Sequence, residues 1–191
     1  MSGPLSIPHK NAKRRAMPCV ACVLAVLLVT VLPGCGSSDR NKAQGYLLAG
    51  ADRIQQIRNQ ASGWQNQLIP TSGATDPKML KNSARAVRLS AKEMSITIDK
   101  ARTTYKNITR LEGVRDYVKY ADLRLDQLDM IQDMLDKTDE YLQKKVTVAS
   151  SGDLSDLATV EEQYSVEISN ISNGIKRIDA ETAKLKKDKE L

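Results

Sequence analysis

The sequence is poor in the residues on which most enzyme active sites depend. It has no phenylalanine, one histidine and three cysteines among 191 residues. His9, Cys19 and Cys22 lie before residue 35, and Cys35 is the remaining cysteine. The chain after Cys35 therefore offers no imidazole base, no thiol nucleophile, no Cys/His zinc site and no intrachain disulfide. Because it also lacks a glycine-rich phosphate loop and a G-x-S-x-G motif, we predict no enzyme, no metal site and no cofactor.

An excess of basic charge is also absent from the main body of the chain. The whole sequence has 29 Lys and Arg against 23 Asp and Glu, but four of the basic residues and none of the acidic ones precede residue 35. The remainder has 25 basic and 23 acidic residues, a net charge of +2. A nucleic-acid surface needs a basic excess with interleaved aromatic residues, so we predict no nucleic-acid partner.

The first 34 residues have the organisation of a secretion signal. Lys13, Arg14 and Arg15 precede an uncharged run of 13 residues, 20–32. A helix that spans a membrane needs about 20 apolar residues, so this run is short for a spanning segment. A basic segment followed by 7–15 apolar residues is typical of a signal peptide.

The residues that follow the apolar run indicate the type of signal. Leu32-Pro33-Gly34-Cys35 resembles the lipobox of bacterial prolipoproteins, with leucine at −3, a small residue at −1 and cysteine at +1. The resemblance implies a diacylglyceryl group on the Cys35 thiol and cleavage between Gly34 and Cys35. An ordinary signal peptide cut near Gly34 and an uncleaved anchor are the alternatives. The resemblance covers only about the first 36 residues.

This resemblance sets the expected domains and location. We expect a lipoprotein signal peptide at 1–34, a flexible tether at 35–42 and a helical domain at 43–191. The tether is small, polar and charged, a composition typical of flexible linkers. The mature protein is expected outside the cytoplasm, held at the bacterial cell membrane or the outer membrane by lipid on Cys35, since two or more acyl chains anchor a protein stably.

Helical spacing dominates the rest of the chain, where no segment alternates as a strand does. The predicted helices are about 41–68, from Pro77 to the region of Gly113, from there to the break at 150–153, and about 155–187. Asp76-Pro77 is a typical helix start. The second helix has the clearest apolar seam, with steps of 4 and 3 along Leu80, Ala84, Val87, Ala91, Met94, Ile98, Ala101, Tyr105 and Ile108. The expected fold is all-α, an antiparallel four-helix bundle with coiled-coil-like packing, with a looser coiled-coil rod or a helix-swapped dimer as alternatives.

The junction at Gly113 is open to two interpretations, a hairpin or one continuous rod. The seam slips phase there, which favours the hairpin. In a hairpin, Arg102 would face Asp122 and Arg88 would face Asp136, so the charges of the two helices would match.

Two further stripes on the third helix are candidates for binding. Carboxylates at steps of 4 and 3 suggest a divalent-cation site, a dock for a basic partner or, as we prefer, a charge seam between helices together with a solvated face: Asp122, Asp126, Asp129, Asp133, Asp136 and Glu140. A second stripe, on the face away from the hairpin seam, predicts either packing on the first or fourth helix or a groove for a partner. Its candidate partner-binding residues are Tyr120, Leu123, Met130, Met134 and Tyr141.

Together these features predict a membrane-anchored helical interaction or scaffold module of the cell envelope. Its partners would be the membrane, through the lipid on Cys35, and an envelope protein or a second copy of the chain. The alternative is a sensor-type bundle that binds a small ligand or an ion between its helices and works through a partner protein.

Overall fold

The computed structural model describes the backbone of residues 35–191 and the side chains of residues 38–191. The predicted signal peptide, 1–34, and with it Gly34, lies outside the described residues. Four α-helices and one short 3-10 turn form the described chain: α1 Cys35–Leu68, the turn Ile69–Thr71, α2 Pro77–Ile108, α3 Arg115–Ser151 and α4 Leu157–Lys189. The prediction of an all-α fold is confirmed for this part of the chain, which has no strand.

Local sequence signals account for the ends of the helices. Asp76 caps α2, its carboxylate accepting a hydrogen bond from the backbone N–H of Lys78 at 2.9 Å, and Pro77 is the first helical residue. Gly152 ends α3 with a left-handed φ of 80°. Gly113, with φ 71°, lies in the loop between α2 and α3, so these helices form a hairpin and not one rod.

The hydrophobic core confirms the apolar seam predicted for α2. Eight of its nine positions are buried, and the ninth, Ala91, is half-buried. The core also takes in apolar side chains of the other three helices, among them Leu47, Trp64 and Leu185. All of its buried residues lie at or after Ala43.

The ion pairs between α2 and α3 show that these helices run antiparallel, but their partners differ from the predicted ones. Arg88 binds Asp139 at 2.7 Å instead of Asp136, and Arg102 binds Asp129 at 2.7 Å instead of Asp122. The predicted pairs are therefore wrong. Because carboxylates recur at every turn of α3, a long arginine side chain has more than one possible partner.

The segment expected to be a flexible tether, 35–42, is the beginning of α1 instead. Asp39 accepts a hydrogen bond from the backbone N–H of Glu112 at 3.4 Å and pairs with Lys42 at 3.0 Å. Ala43, one residue further on, is fully buried. These contacts fix the early turns of α1 against the loop between α2 and α3, which is the physical reason why the polar composition does not produce a linker.

The fourth helix packs differently from the other three. It lies along α3, and none of its Cα atoms is within 8 Å of a Cα atom of α1 or α2. The middle of its apolar seam is therefore only half-buried, at Val160, Tyr164, Ile168, Ile171 and Ile175. The bundle is open on the side between α1 and α4, and this opening forms a cleft.

Candidate functional site

The proposed lipidation site lies at one end of the bundle. Cys35 is the first residue that the structure describes, and it lies in α1. The loop between α2 and α3 lies at the same end, since Glu112 binds Asp39, and so does the end of α4, since Lys189 lies 3.7 Å from the carboxylate of Asp116. We call this the Cys35 end. The rest of the lipobox, residues 32–34, lies outside the described residues.

The stripe on α3 that was a candidate partner surface lies inside the bundle. Tyr120 and Tyr141 are buried, and Leu123, Met130 and Met134 are half-buried. This corrects the expectation of a free partner groove, because α4 packs along this face of α3, with Tyr164 stacked on Tyr141 and Gly174 facing Met130. The stripe belongs to the packing of the fourth helix, which was the other interpretation of the pattern.

The open side between α1 and α4 contains a cleft of about 550 Å³. One wall is the end of α1 with the 3-10 turn, where Leu68 and Ile69 are apolar, and the other is the first half of α4. The wall on α4 presents Ile168 and three serines at helical spacing, Ser165, Ser169 and Ser172. The cleft thus combines an apolar wall with several hydroxyl groups that can donate and accept hydrogen bonds.

Two stacked tyrosines line the cleft. The rings of Tyr141 and Tyr164 are parallel to within 11°, with centroids 4.1 Å apart. The hydroxyls of Tyr164 and Thr138 share a hydrogen bond of 2.9 Å, which fixes the Tyr164 ring. Burial raises the pKa of the Tyr164 phenol, so it is neutral at physiological pH and offers a ring face and a hydroxyl.

A fully buried lysine lies beside the tyrosines. The Lys145 ammonium donates to the backbone carbonyl of Thr71 at 2.6 Å, to the Tyr141 hydroxyl at 3.3 Å and to the carboxylate of Glu161. The hydrogen bond from Lys145 holds the pKa of Glu161 below its ordinary value, against a smaller opposing effect of burial. Sequence reasoning missed this pair. The available signal was that Lys145 follows Tyr141 by one helical turn and so continues a stripe that is otherwise largely apolar.

A second ionic cluster joins α4 to α1 and α3. The Asp179 carboxylate accepts from Arg124 at 2.7 Å and from Arg58 at 2.9 Å. Arg124 also donates to the Tyr120 hydroxyl at 3.1 Å and to the Gln127 side-chain oxygen at 2.5 Å. Burial works to raise the pKa of Asp179, but the hydrogen bonds, chiefly from Arg124, outweigh it and lower that pKa. This cluster bridges the open side of the bundle beyond the cleft.

Only part of the acidic stripe of α3 forms ion pairs with the neighbouring helix α2. Asp129 is paired with Arg102, while Asp122, Asp126, Asp133 and Asp136 are exposed. Within residues 35–191, no three His, Cys, Asp or Glu side chains are grouped closely enough to hold a metal ion. None of the described helices combines the length and apolar character needed to cross a membrane.

No protein-family model, curated protein or solved structure matches this chain. What the described site can do follows from its chemistry. The cleft offers an apolar wall, hydroxyls and the partly exposed carboxylate of Glu161, which suits reversible binding of a small or extended ligand.

Proposed function

We propose that this protein is a bacterial lipoprotein whose helical bundle is held at the outer face of a membrane by acyl groups on Cys35. The bundle would serve as an interaction or scaffold module of the cell envelope. The observation that carries the proposal is the order of features along the chain: basic residues, a 13-residue apolar run, Leu32-Pro33-Gly34-Cys35, and then the bundle. Cys35 is the last cysteine of the sequence, so it has no later cysteine with which to form a disulfide, and acylation would give its thiol a role.

The helical conformation at Cys35 is compatible with this arrangement. Cleavage before Cys35 would remove the leader and keep every helical residue that the structure describes, Cys35–Lys189. The acyl chains would then extend from the end of a helix, without an intervening linker. The module would present its long sides, including the cleft between α1 and α4, to a partner in the envelope.

Metabolic labelling with an alkyne analogue of palmitate tests the anchor. The full chain, expressed in a bacterium that processes lipoproteins, is expected to take up the label, and Cys35→Ser is expected to lose nearly all of it, because the thiol is the acceptor. Cys19→Ser and Cys22→Ser are matched controls within the leader and should keep the label. Label that persists in Cys35→Ser, or that disappears equally in Cys22→Ser, would contradict the proposal.

A ligand-binding bundle is a second candidate, and the cleft of about 550 Å³ beside Tyr164 is the observation that favours it. Clefts of this size accommodate small molecules. Thermal unfolding in the presence of divalent cations and common metabolites separates the two functions. A saturable rise in the melting temperature favours ligand binding, and an unchanged melting temperature across the set favours the scaffold.

A further inference from the structure

The bundle has a strong charge asymmetry from one end to the other. The Cys35 end, comprising residues 38–42, 106–119 and 184–190, has ten basic and five acidic residues, a net charge of +5. The opposite end, comprising residues 62–82 and 140–162, has four basic and six acidic residues, a net charge of −2. The chain from Cys35 on has a net charge of only +2. The positive charge of the Cys35 end therefore becomes apparent only when the fold brings its three segments together.

The basic side chains of the Cys35 end are available to a partner. Arg40, Arg110, Arg115, Lys186 and Lys187 are exposed, and within the described structure none of them has a carboxylate within 4.0 Å. Arg40, Arg115 and Lys189 also line one depression, together with Gly113 and the carboxylate residue Asp116. We call the basic residues of this end of the bundle the basic end.

Helix stability explains only part of this surface. Lysines in the last turn of α4 interact favourably with the negative end of the helix dipole. Arg115, by contrast, is the first residue of α3, where the dipole disfavours a cation. Arg40, near the beginning of the described part of α1, likewise lies far from the C-terminus of its own helix and has no ion pair in the described structure, whereas Arg110 directly follows the C-cap of α2. The position of Arg40 and Arg115 at this end requires another explanation.

The distance from Cys35 points to that explanation. Since Cys35 and Arg40 both lie in α1, Arg40 is only about 7.5 Å further along the helix axis. Electrostatic attraction to an anionic surface extends over a Debye length of about 8 Å at physiological ionic strength. An anchor on Cys35 would therefore place the basic end within reach of lipid headgroups, and a flexible tether would not have fixed it there.

We propose that the basic end, around Arg40, Arg115, Lys186 and Lys187, binds the anionic headgroups of the bilayer. This proposal rests on the proposed function, because the anchor on Cys35 is what brings this end to the membrane. The contact orients the bundle upright on the membrane, with the cleft and the acidic end directed away from the lipid. The acyl chains hold the protein, and the basic end sets its orientation.

Vesicle binding tests the basic end without the anchor. The chain from Gly36 retains every buried core residue, since these begin at Ala43, and circular dichroism checks that each variant is folded. At low salt we expect it to co-sediment with vesicles that contain phosphatidylglycerol and not with vesicles of phosphatidylcholine alone. The variant R115Q/K186Q/K187Q should bind about 20-fold more weakly, since each basic residue near an anionic surface contributes about five-fold and not all three touch lipid at once.

The control variant K78Q/K81Q/K144Q removes the same charge from exposed residues of the opposite end. It is expected to change binding less than about three-fold, the residual effect of a lower net charge. Equal losses in the two variants, no binding to anionic vesicles by the unmodified body, or equally tight binding to soluble polyphosphate would overturn the assignment to a membrane surface. Because this chain lacks Cys35, a failure here leaves acylation of Cys35 unaffected, and absence of acylation in cells leaves the vesicle result unaffected.

Discussion

Replacing Glu161 by leucine is expected to lower the free energy of unfolding by about 3 kcal/mol, the lower end of the cost of breaking a buried ion pair. The change leaves the Lys145 ammonium fully buried with only the Thr71 carbonyl and the Tyr141 hydroxyl as acceptors. The lower end applies because the Glu161 side chain is 40% exposed and solvent screens part of the interaction. Urea denaturation followed by circular dichroism measures the loss.

The matched variant is Lys145→Met, which removes the other partner. It should cost only about 1 kcal/mol, because methionine fills the buried space and water can solvate the half-exposed carboxylate that remains. Removal of the exposed partner is therefore expected to cost more than removal of the buried one. A larger loss for Lys145→Met than for Glu161→Leu would show that the pair is not held as described.

The pair of Lys145 and Glu161 is also expected to make the free energy of unfolding fall at acid pH. Because the pKa of Glu161 is lower in the folded state than its ordinary value of 4.5, the ionised carboxylate stabilises the fold. Its contribution is complete above that ordinary pKa and is lost as the pH falls through the lower, folded value. The difference between the unmodified protein and Glu161→Leu should accordingly be constant near neutrality and shrink below about pH 4.5.

The second large effect is expected at Gly50 in α1, where alanine should cost about 2 kcal/mol despite its higher helix propensity. A Cβ atom added there would lie 2.5 Å from the Cζ atom of Tyr105 and 2.8 Å from its hydroxyl oxygen. Tyr105 is fully buried in the core, near Tyr120, so its ring has no space into which to move. The thermal or urea unfolding of Gly50→Ala measures the cost.

Gly174 in α4 is the matched control for Gly50. An alanine Cβ there would meet the terminal Cε and Sδ atoms of Met130, which a rotation of the flexible methionine can move aside. Gly174→Ala should therefore be within about 0.5 kcal/mol of the unmodified protein or stabilise it, through the gain in helix propensity of about 1 kcal/mol. Adding Tyr105→Leu to Gly50→Ala should cost less than the sum of the single changes. Strict additivity would contradict a clash between these two side chains.

The sequence predicted the helices well because their signals are local. Asp76-Pro77 caps α2, Gly152 ends α3, and the steps of 3 and 4 along α2 identify the residues that the core buries. The ion-pair partners between α2 and α3 were not predictable in the same way. Carboxylates at every turn of α3 give Arg102 more than one possible partner, and it binds Asp129, one heptad away from Asp122.

The cleft and its buried pair depend on contacts between residues distant in sequence. The stripe that Lys145 continues is a local signal for a buried face, but an exposed position is the ordinary expectation for a lysine, and its partners Thr71 and Glu161 are 74 and 16 residues away. The placement of α4 also depends on contacts that the local sequence does not reveal. Its apolar seam predicts a buried face but not that α4 packs along α3 alone, which leaves the cleft open and buries the stripe containing Tyr120 and Tyr141.

The same dependence on distant contacts explains the tether. The composition of residues 35–42 favours a linker, whereas contacts such as the bond between Asp39 and Glu112, 73 residues away, hold the segment against the bundle. The basic end is likewise formed from three separate segments whose charges are balanced elsewhere along the chain. The resemblance to a lipobox at Leu32–Cys35 is, by contrast, a feature of four consecutive residues, and the proposed anchor depends on it.

The intact mass of the protein extracted from bacterial membranes tests the proposed anchor most directly. The account predicts a chain that begins at Cys35 and carries the added mass of a diacylglyceryl group, with fragmentation placing that mass on residue 35. A mature chain that begins at any other residue, or an unmodified thiol at Cys35, would contradict it.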